Sequence, residues 1–180
     1  PVVDDGIRAE LDALSARFER EAASAPIEWA VERFGSAVSV AASFEDAVLI
    51  DLAVSVEPRI EIVFLDTQFH FAETLWFVEH LRKRYDLNLR VVEPLVAKAD
   101  LWLTDLAGCC QARKVEPLNR ALSGRAAWIT GLRRVDAPTR AGAPIVSWDE
   151  ARGMVKLNPL APWTDADVAG YIADHDLPES

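Results

Sequence analysis

Residues 60–85 read IEIVFLDTQFHFAETLWFVEHLRKRY. The opening IEIVFLD (60–66) is an apolar run rich in β-branched side chains, which predicts a buried strand ending at Asp66. FAETLWFVEHLRKRY (71–85) then predicts a helix with Arg82, Lys83 and Arg84 near its end. The same alternation continues on both sides. Upstream, AVSVAAS (37–43) reads as a strand and EDAVLIDLAVSV (45–56) as a helix. Downstream come a strand at LNLRVVE (87–93), a helix at ARKVEPLNRAL (112–122) with Pro117 as an irregularity, and a strand at AAWITG (126–131). TDADVAGYIADHD (164–176) closes the chain as a helix, with Thr164 as its cap and Asp167 in its first turn. Before all of this, Ile7, Leu11, Leu14 and Phe18 fall at helical spacing, and PIEWAVERFG (26–35) forms a second short helix. Strands alternating with helices predict an α/β fold with a mainly parallel sheet covered on both faces. The N-terminal helical segment, 1–36, packs on the domain formed by 37–180.

With 180 residues, 51% of them apolar, the chain suits a single domain with a real core. No apolar run reaches the roughly 18 residues of a membrane span, and PVVDDGIRAEL has no signal-peptide layout. A net charge of −10 argues against nucleic acid or an anionic membrane as partner. Against that background Arg133, Arg134 and Arg140, gathered in GLRRVDAPTRAGAP (131–144), suggest a small anionic ligand.

The only cysteines, Cys109 and Cys110, are adjacent. Consecutive Cα atoms lie about 3.8 Å apart, short of the roughly 4.4–6.8 Å of an ordinary disulfide. Three readings remain: two inert apolar residues, a redox pair, or two ligands of a metal centre. Lacking a comfortable disulfide, the chain fits a reducing, cytoplasmic setting.

Ligands of parallel α/β sheets bind beyond the carboxyl ends of the strands. That rule selects four places. At Ser43 a hydroxyl and free backbone N–H groups could receive phosphate or sulfate oxygens, or Ser43 could merely cap the next helix. Asp66 could accept from a ribose or amino group and Thr67 could donate, or both could cap. His70 and His80 read as surface or packing residues. In CCQARKVEPL (109–118) a helix start with Arg113 and Lys114 would favour thiolates, and Lys114 could hold a phosphate as a point charge. Gly131, Arg133, Arg134 and Arg140 form a loop suited to bidentate anion capture, with Asp136 pairing one guanidinium, or a solvated surface loop.

Together these segments resemble the assimilatory sulfonucleotide reductases, which act on adenylyl sulfate or phosphoadenylyl sulfate. IVFLDTQFHFAET resembles the family's LDTG…ET motif, CCQARKVEPL its CCxxRKxxPL, ITGLRRVDAPTR its TGLRRxxxPTR, and KLNPLAPWTDADVAGYI its NPL…WT…V…YI segment. The resemblance spans about residues 37–177. It implies a Rossmann-like doubly wound sheet of the adenine nucleotide α-hydrolase kind. It implies further that the Ser43 turn receives the phosphosulfate and that Asp66 and Thr67 face the adenosine. Lys114, Arg133, Arg134 and Arg140 would bind the anion. Cys109 and Cys110 would be two of four ligands of a [4Fe–4S] cluster, as in the branch that mostly uses adenylyl sulfate.

The implied reaction is thioredoxin-dependent reduction of adenylyl sulfate to sulfite and AMP through a cysteine S-sulfonate. The family's nucleophilic cysteine lies in a C-terminal ECG-type motif and its other cluster ligands in a CxxC, neither of which occurs here; both are expected beyond HDLPES (175–180). The Ser43 turn lacks the family's glycine, and Gln68 stands where the family usually has one. Phosphoadenylyl-sulfate reductase shares every motif except, usually, the paired cysteines. An ATP pyrophosphatase of this fold would need an SGGxDS loop. A non-catalytic nucleotide-binding redox sensor is the alternative outside enzymes, and a homo-oligomer is compatible with all of these.

Overall fold

The computed structural model describes residues 4–95 and 105–180. Helices α1 (Asp5–Phe18) and α2 (Ser24–Phe34) lead into β1 (Val38–Ala41), α3 (Val48–Val56), β2 (Glu61–Leu65), α4 (Ala72–Tyr85) and β3 (Asn88–Val92). Then come α5 (Leu106–Cys110), a π-helical turn (Gln111–Val115), α6 (Glu116–Leu122), β4 (Ala127–Thr130), β5 (Val146–Asp149), β6 (Met154–Leu157) and α7 (Asp165–Asp174). Pro117 accounts for the irregular middle of the α5–α6 run. It has no N–H to continue the ladder, and the turn before it widens so that Glu116 N–H donates to the Gln111 carbonyl five residues back.

The strands form one sheet in the order β3-β2-β1-β4-β6-β5. All neighbours are parallel except β5, which runs antiparallel to β6 at the edge. β1 lies between β2 and β4, so the chain leaves it in one direction and returns on its other side. That is the topological switch point, where a crevice opens beyond the strand ends. Side chains alternate across the sheet with the strand period of two. Val40, Ile62, Phe64 and Ile129 enter the main core with α1, α2, α3 and α4. Val63 and Trp128 face the other way, toward Ala121 and Leu122 of α6. Helices therefore cover both faces, as expected for a doubly wound sheet.

The β5–β6 hairpin is absent from the sequence expectation. Its four-residue strands are too short to show a period, and its turn is marked only by Gly153 at φ 65°. α1 is fastened to β5 by Ser15, whose buried hydroxyl oxygen accepts from the N–H groups of Ile145 and Val146 at 3.0 and 3.2 Å. α7 is fastened to α3 and α4 by the chain's two tyrosines, which both donate to the carboxylate of Asp51: Tyr85 at 2.8 Å and Tyr171 at 2.7 Å. Among the described residues no helix is long and apolar enough to cross a membrane.

Candidate functional site

Ala42, Ser43 and Phe44 leave the end of β1 at the switch point. Phe44 sits in the left-handed region at φ 61°, a conformation that costs a non-glycine residue about 1–2 kcal/mol. Its ring, 2% exposed, packs edge-on against Phe64 at 5.2 Å, and this burial offsets the strain. An aromatic residue thus takes a conformation that glycine would adopt freely. The helix expected from residue 45 starts at Val48, because the Asp46 carboxylate accepts from Val48 N–H and holds the preceding turn open. Ser43 does not cap it; its hydroxyl is 3.5 Å from Glu45 N, a long contact.

This turn separates two cavities. The larger, about 720 Å³, has apolar walls from Phe44, Val63, Phe64, Leu65 and Leu118, with Ser43, Thr67, His70, Thr74 and Lys114 as polar points. Its size falls within the roughly 300–1,000 Å³ of small-molecule sites. His70 is a wall residue, bonded to the Leu65 carbonyl at 2.9 Å and stacked near Phe64. The smaller cavity, about 370 Å³, shares Ser43 and Phe44 and is lined by Trp128, Gly131, Arg133, Arg140 and Lys156, with Glu45, Asp46 and Asp136 as its carboxylates.

The loop after β2 is held from below. Asp66 accepts from Gln68 N–H at 2.8 Å and lines neither cavity, so its carboxylate shapes the turn. Gln68 has φ 66°, which explains why glycine suits this position. Arg113, 2% exposed, donates to the Thr67 carbonyl at 3.2 Å and to Gln68 Oε1 at 3.1 Å, and its guanidinium lies 4.7 Å from the Phe69 ring centroid. The loop after β4 is held likewise. Thr130 Oγ1 donates to Asn158 Oδ1 at 2.6 Å, and Asn158, 2% exposed, donates to the Pro144 carbonyl at 3.1 Å. The TGLRR and NPL segments thereby form one unit.

Of the expected anion-binding residues, Lys114 lines the larger cavity, and Gly131, Arg133 and Arg140 the smaller one. Arg134 joins neither. It points to α1, pairing with Glu19 and donating to the Ala143 carbonyl at 2.8 Å. Neighbouring residues leave a chain in different directions, which separates Arg134 from Arg133. Asp136 does pair with an arginine, in fact with two: Arg133 at 3.1 Å and Arg140 at 3.5 Å. Arg133 also meets Asp165 at the start of α7, at 2.9 Å.

Cys109 is half-buried and Cys110 exposed, and neither lines either of these two cavities. They end α5, one turn into a helical run that begins at Leu106 and continues past them. Two thiols are the right donors for an iron–sulfur cluster but only half of a four-cysteine set. Among the described residues no group of three or more His, Cys, Asp or Glu could hold a metal. Sequence reasoning also missed Trp128 and Lys156, which sit in strands rather than loops. The only signal was the position of Lys156 in the KLNPL segment.

The model of the phosphoadenosine phosphosulfate reductase domain matches residues 35–180. The chain belongs to this reductase family. The adenosine 5′-phosphosulfate reductase of Mycobacteroides abscessus is 45% identical over 180 residues, covering 95% of this chain and 76% of that protein. The enzyme of the same name from Mycolicibacterium smegmatis is 45% identical over 175 residues, covering 91% and 74%. The crystal structure of phosphoadenylyl-sulfate reductase from Candida auris, a phosphate complex, superposes with a TM-score of 0.84 at 24% identity, covering 99% of this chain and 90% of that one. The reductase fold is therefore the Rossmann-like one that the motifs implied.

Proposed function

We propose that this reductase binds adenylyl sulfate across the Ser43 turn and serves its reduction to sulfite and AMP. One observation carries the reading: a cavity with aromatic and aliphatic walls meets, at a single backbone turn, a second one where Arg133, Arg140 and Lys156 stand beside Glu45, Asp46 and Asp136. The first suits an adenosine, with the ring of Phe44 as a wall and Thr67 and Thr74 as hydrogen-bonding partners. The second suits the phosphosulfate, held by Arg133 and Arg140. Lys114 adds a point charge at the nucleoside side.

In the reaction a thiolate attacks the sulfonate sulfur and the bond from that sulfur to the phosphate oxygen breaks. AMP departs with the electron pair, leaving a cysteine S-sulfonate. A dithiol protein of the thioredoxin type attacks the cysteine sulfur, sulfite leaves, and the partner's second thiol resolves the mixed disulfide. Arg133, Arg140 and Lys114 lower the first barrier by holding the charge that collects on the departing phosphate. Cys109 and Cys110 are not placed to attack from either cavity. Cys109 and Cys110 would supply two of four thiolates to a [4Fe–4S] cluster, which when bound adds its own charge to the field near Lys114.

The test is sulfite release by the gene product supplied with reduced thioredoxin. Faster turnover on adenylyl sulfate than on phosphoadenylyl sulfate supports the reading. Preference for the latter moves the chain to the sister activity, and release from neither contradicts both.

A further inference from the structure

The cations of the smaller cavity are unequally partnered. Arg133 and Arg140 both pair with Asp136, and nearby Arg152, outside the lining, pairs with Asp149. Lys156 lines the same cavity from β6 and forms no ion pair among the described residues. Its Nζ lies 4.9 Å from the centroid of Trp128, whose other cationic neighbour, Arg152, is 5.0 Å away. Burial holds the ammonium below the usual lysine range; Asp149 opposes this, while Arg152 and Arg140 reinforce it. Nη1 of Arg133 is also buried without a hydrogen-bond partner among the described residues. A half-buried charge facing like charges is costly unless an anion completes it. The contact with an indole face returns only about 0.5–1 kcal/mol at such a site.

We propose that Lys156 is an anion-binding residue of the sulfonucleotide site, gripping the sulfate end of the ligand together with Arg140 and Nη1 of Arg133. The proposal rests on the functional reading above and extends it to a residue outside the arginine loop. Lys156 stands on a strand, level with Trp128 across the β4–β6 register. Its ammonium is therefore positioned by the sheet and not by a loop, which reduces the ordering cost of binding.

The experiment is calorimetric titration of the protein with adenylyl sulfate and, separately, with adenosine. Lys156→Gln should weaken adenylyl sulfate binding about tenfold or more, the worth of a lost charge-assisted contact, and leave adenosine affinity unchanged. Lys156→Arg should restore most of the loss. Equal adenylyl sulfate affinity in wild type and Lys156→Gln overturns the proposal and leaves the functional reading standing. Equal weakening of both ligands also overturns it, since that marks a general distortion of the fold. A wild-type protein that binds adenosine but not adenylyl sulfate overturns the functional reading itself, and the proposal with it.

Discussion

Nη1 of Arg113 lies 3.1 Å from Oε1 of Gln68, and the same nitrogen reaches the Thr67 carbonyl at 3.2 Å. Through this buried arginine the helical run bearing Cys109 and Cys110 is bonded to the loop that lines the larger cavity at Thr67. Arg113→Lys cannot reproduce a planar fork that meets both acceptors and stacks beside Phe69. It should lower stability by about 1.5–3 kcal/mol in urea unfolding. A change within about 0.5 kcal/mol, the usual range of a surface substitution, would contradict this.

Gln68 holds a left-handed backbone, so its tolerance of other residues depends on φ and not on side-chain size alone. Gln68→Gly should stay within about 1 kcal/mol of wild type, because relief of strain offsets the lost contact with Arg113. Gln68→Val should cost at least about 1 kcal/mol more than Gln68→Gly, since a β-branched residue resists this region. Equal stability of the two variants by thermal unfolding would remove the backbone argument.

Arg133 and Arg134 are neighbours with different work. Arg140→Ala should weaken adenylyl sulfate binding by about 1.5–3 kcal/mol. Arg134→Ala should leave that affinity unchanged and cost under about 1 kcal/mol of stability, as expected for a partly exposed pair with Glu19. A titration that ranks the two variants the other way would reassign the arginine loop.

Both tyrosines of the chain donate to Asp51, and both phenols are held above their ordinary range, by burial first and by the Asp51 hydrogen bond next. Tyr85 is pushed up to about 12 and Tyr171 is also raised. A folded pKa above the unfolded value means that the neutral phenol is the stabilising form. Its contribution is complete below about pH 10, the unfolded value, and is lost as pH rises toward about 12 for Tyr85. Native protein should therefore show little phenolate absorbance at pH 10, whereas unfolded protein should show about half. Native absorbance equal to that of the unfolded chain would deny the clasp on α7.

Much of the fold was legible because β1, β2 and β4 are buried apolar runs, and α1 and α4 carry helical patterns over more than three turns. The β5–β6 hairpin was not, since VSWD and MVKL are each too short for a period to emerge. At the site, residue chemistry at strand ends singled out Ser43, Thr67, Lys114, Gly131, Arg133 and Arg140, and all line a cavity. Arg134 was misplaced because sequence cannot tell which of two adjacent guanidiniums turns inward. Asp66 was read as a contact for the ligand or a cap; its Oδ1 accepts from Gln68 N–H, and it lines neither cavity. Lys156 was invisible because a lysine in a strand ordinarily means a solvated edge, and only the sheet order brings it beside the arginine loop.

The central claim is that one sulfonucleotide bridges two cavities at Ser43. A crystal structure of the protein with adenylyl sulfate tests it directly. Adenosine density is expected against Phe44 and Phe64, and sulfonate density beside Arg133, Arg140 and Lys156. Nucleotide density lying wholly outside these two cavities would contradict it.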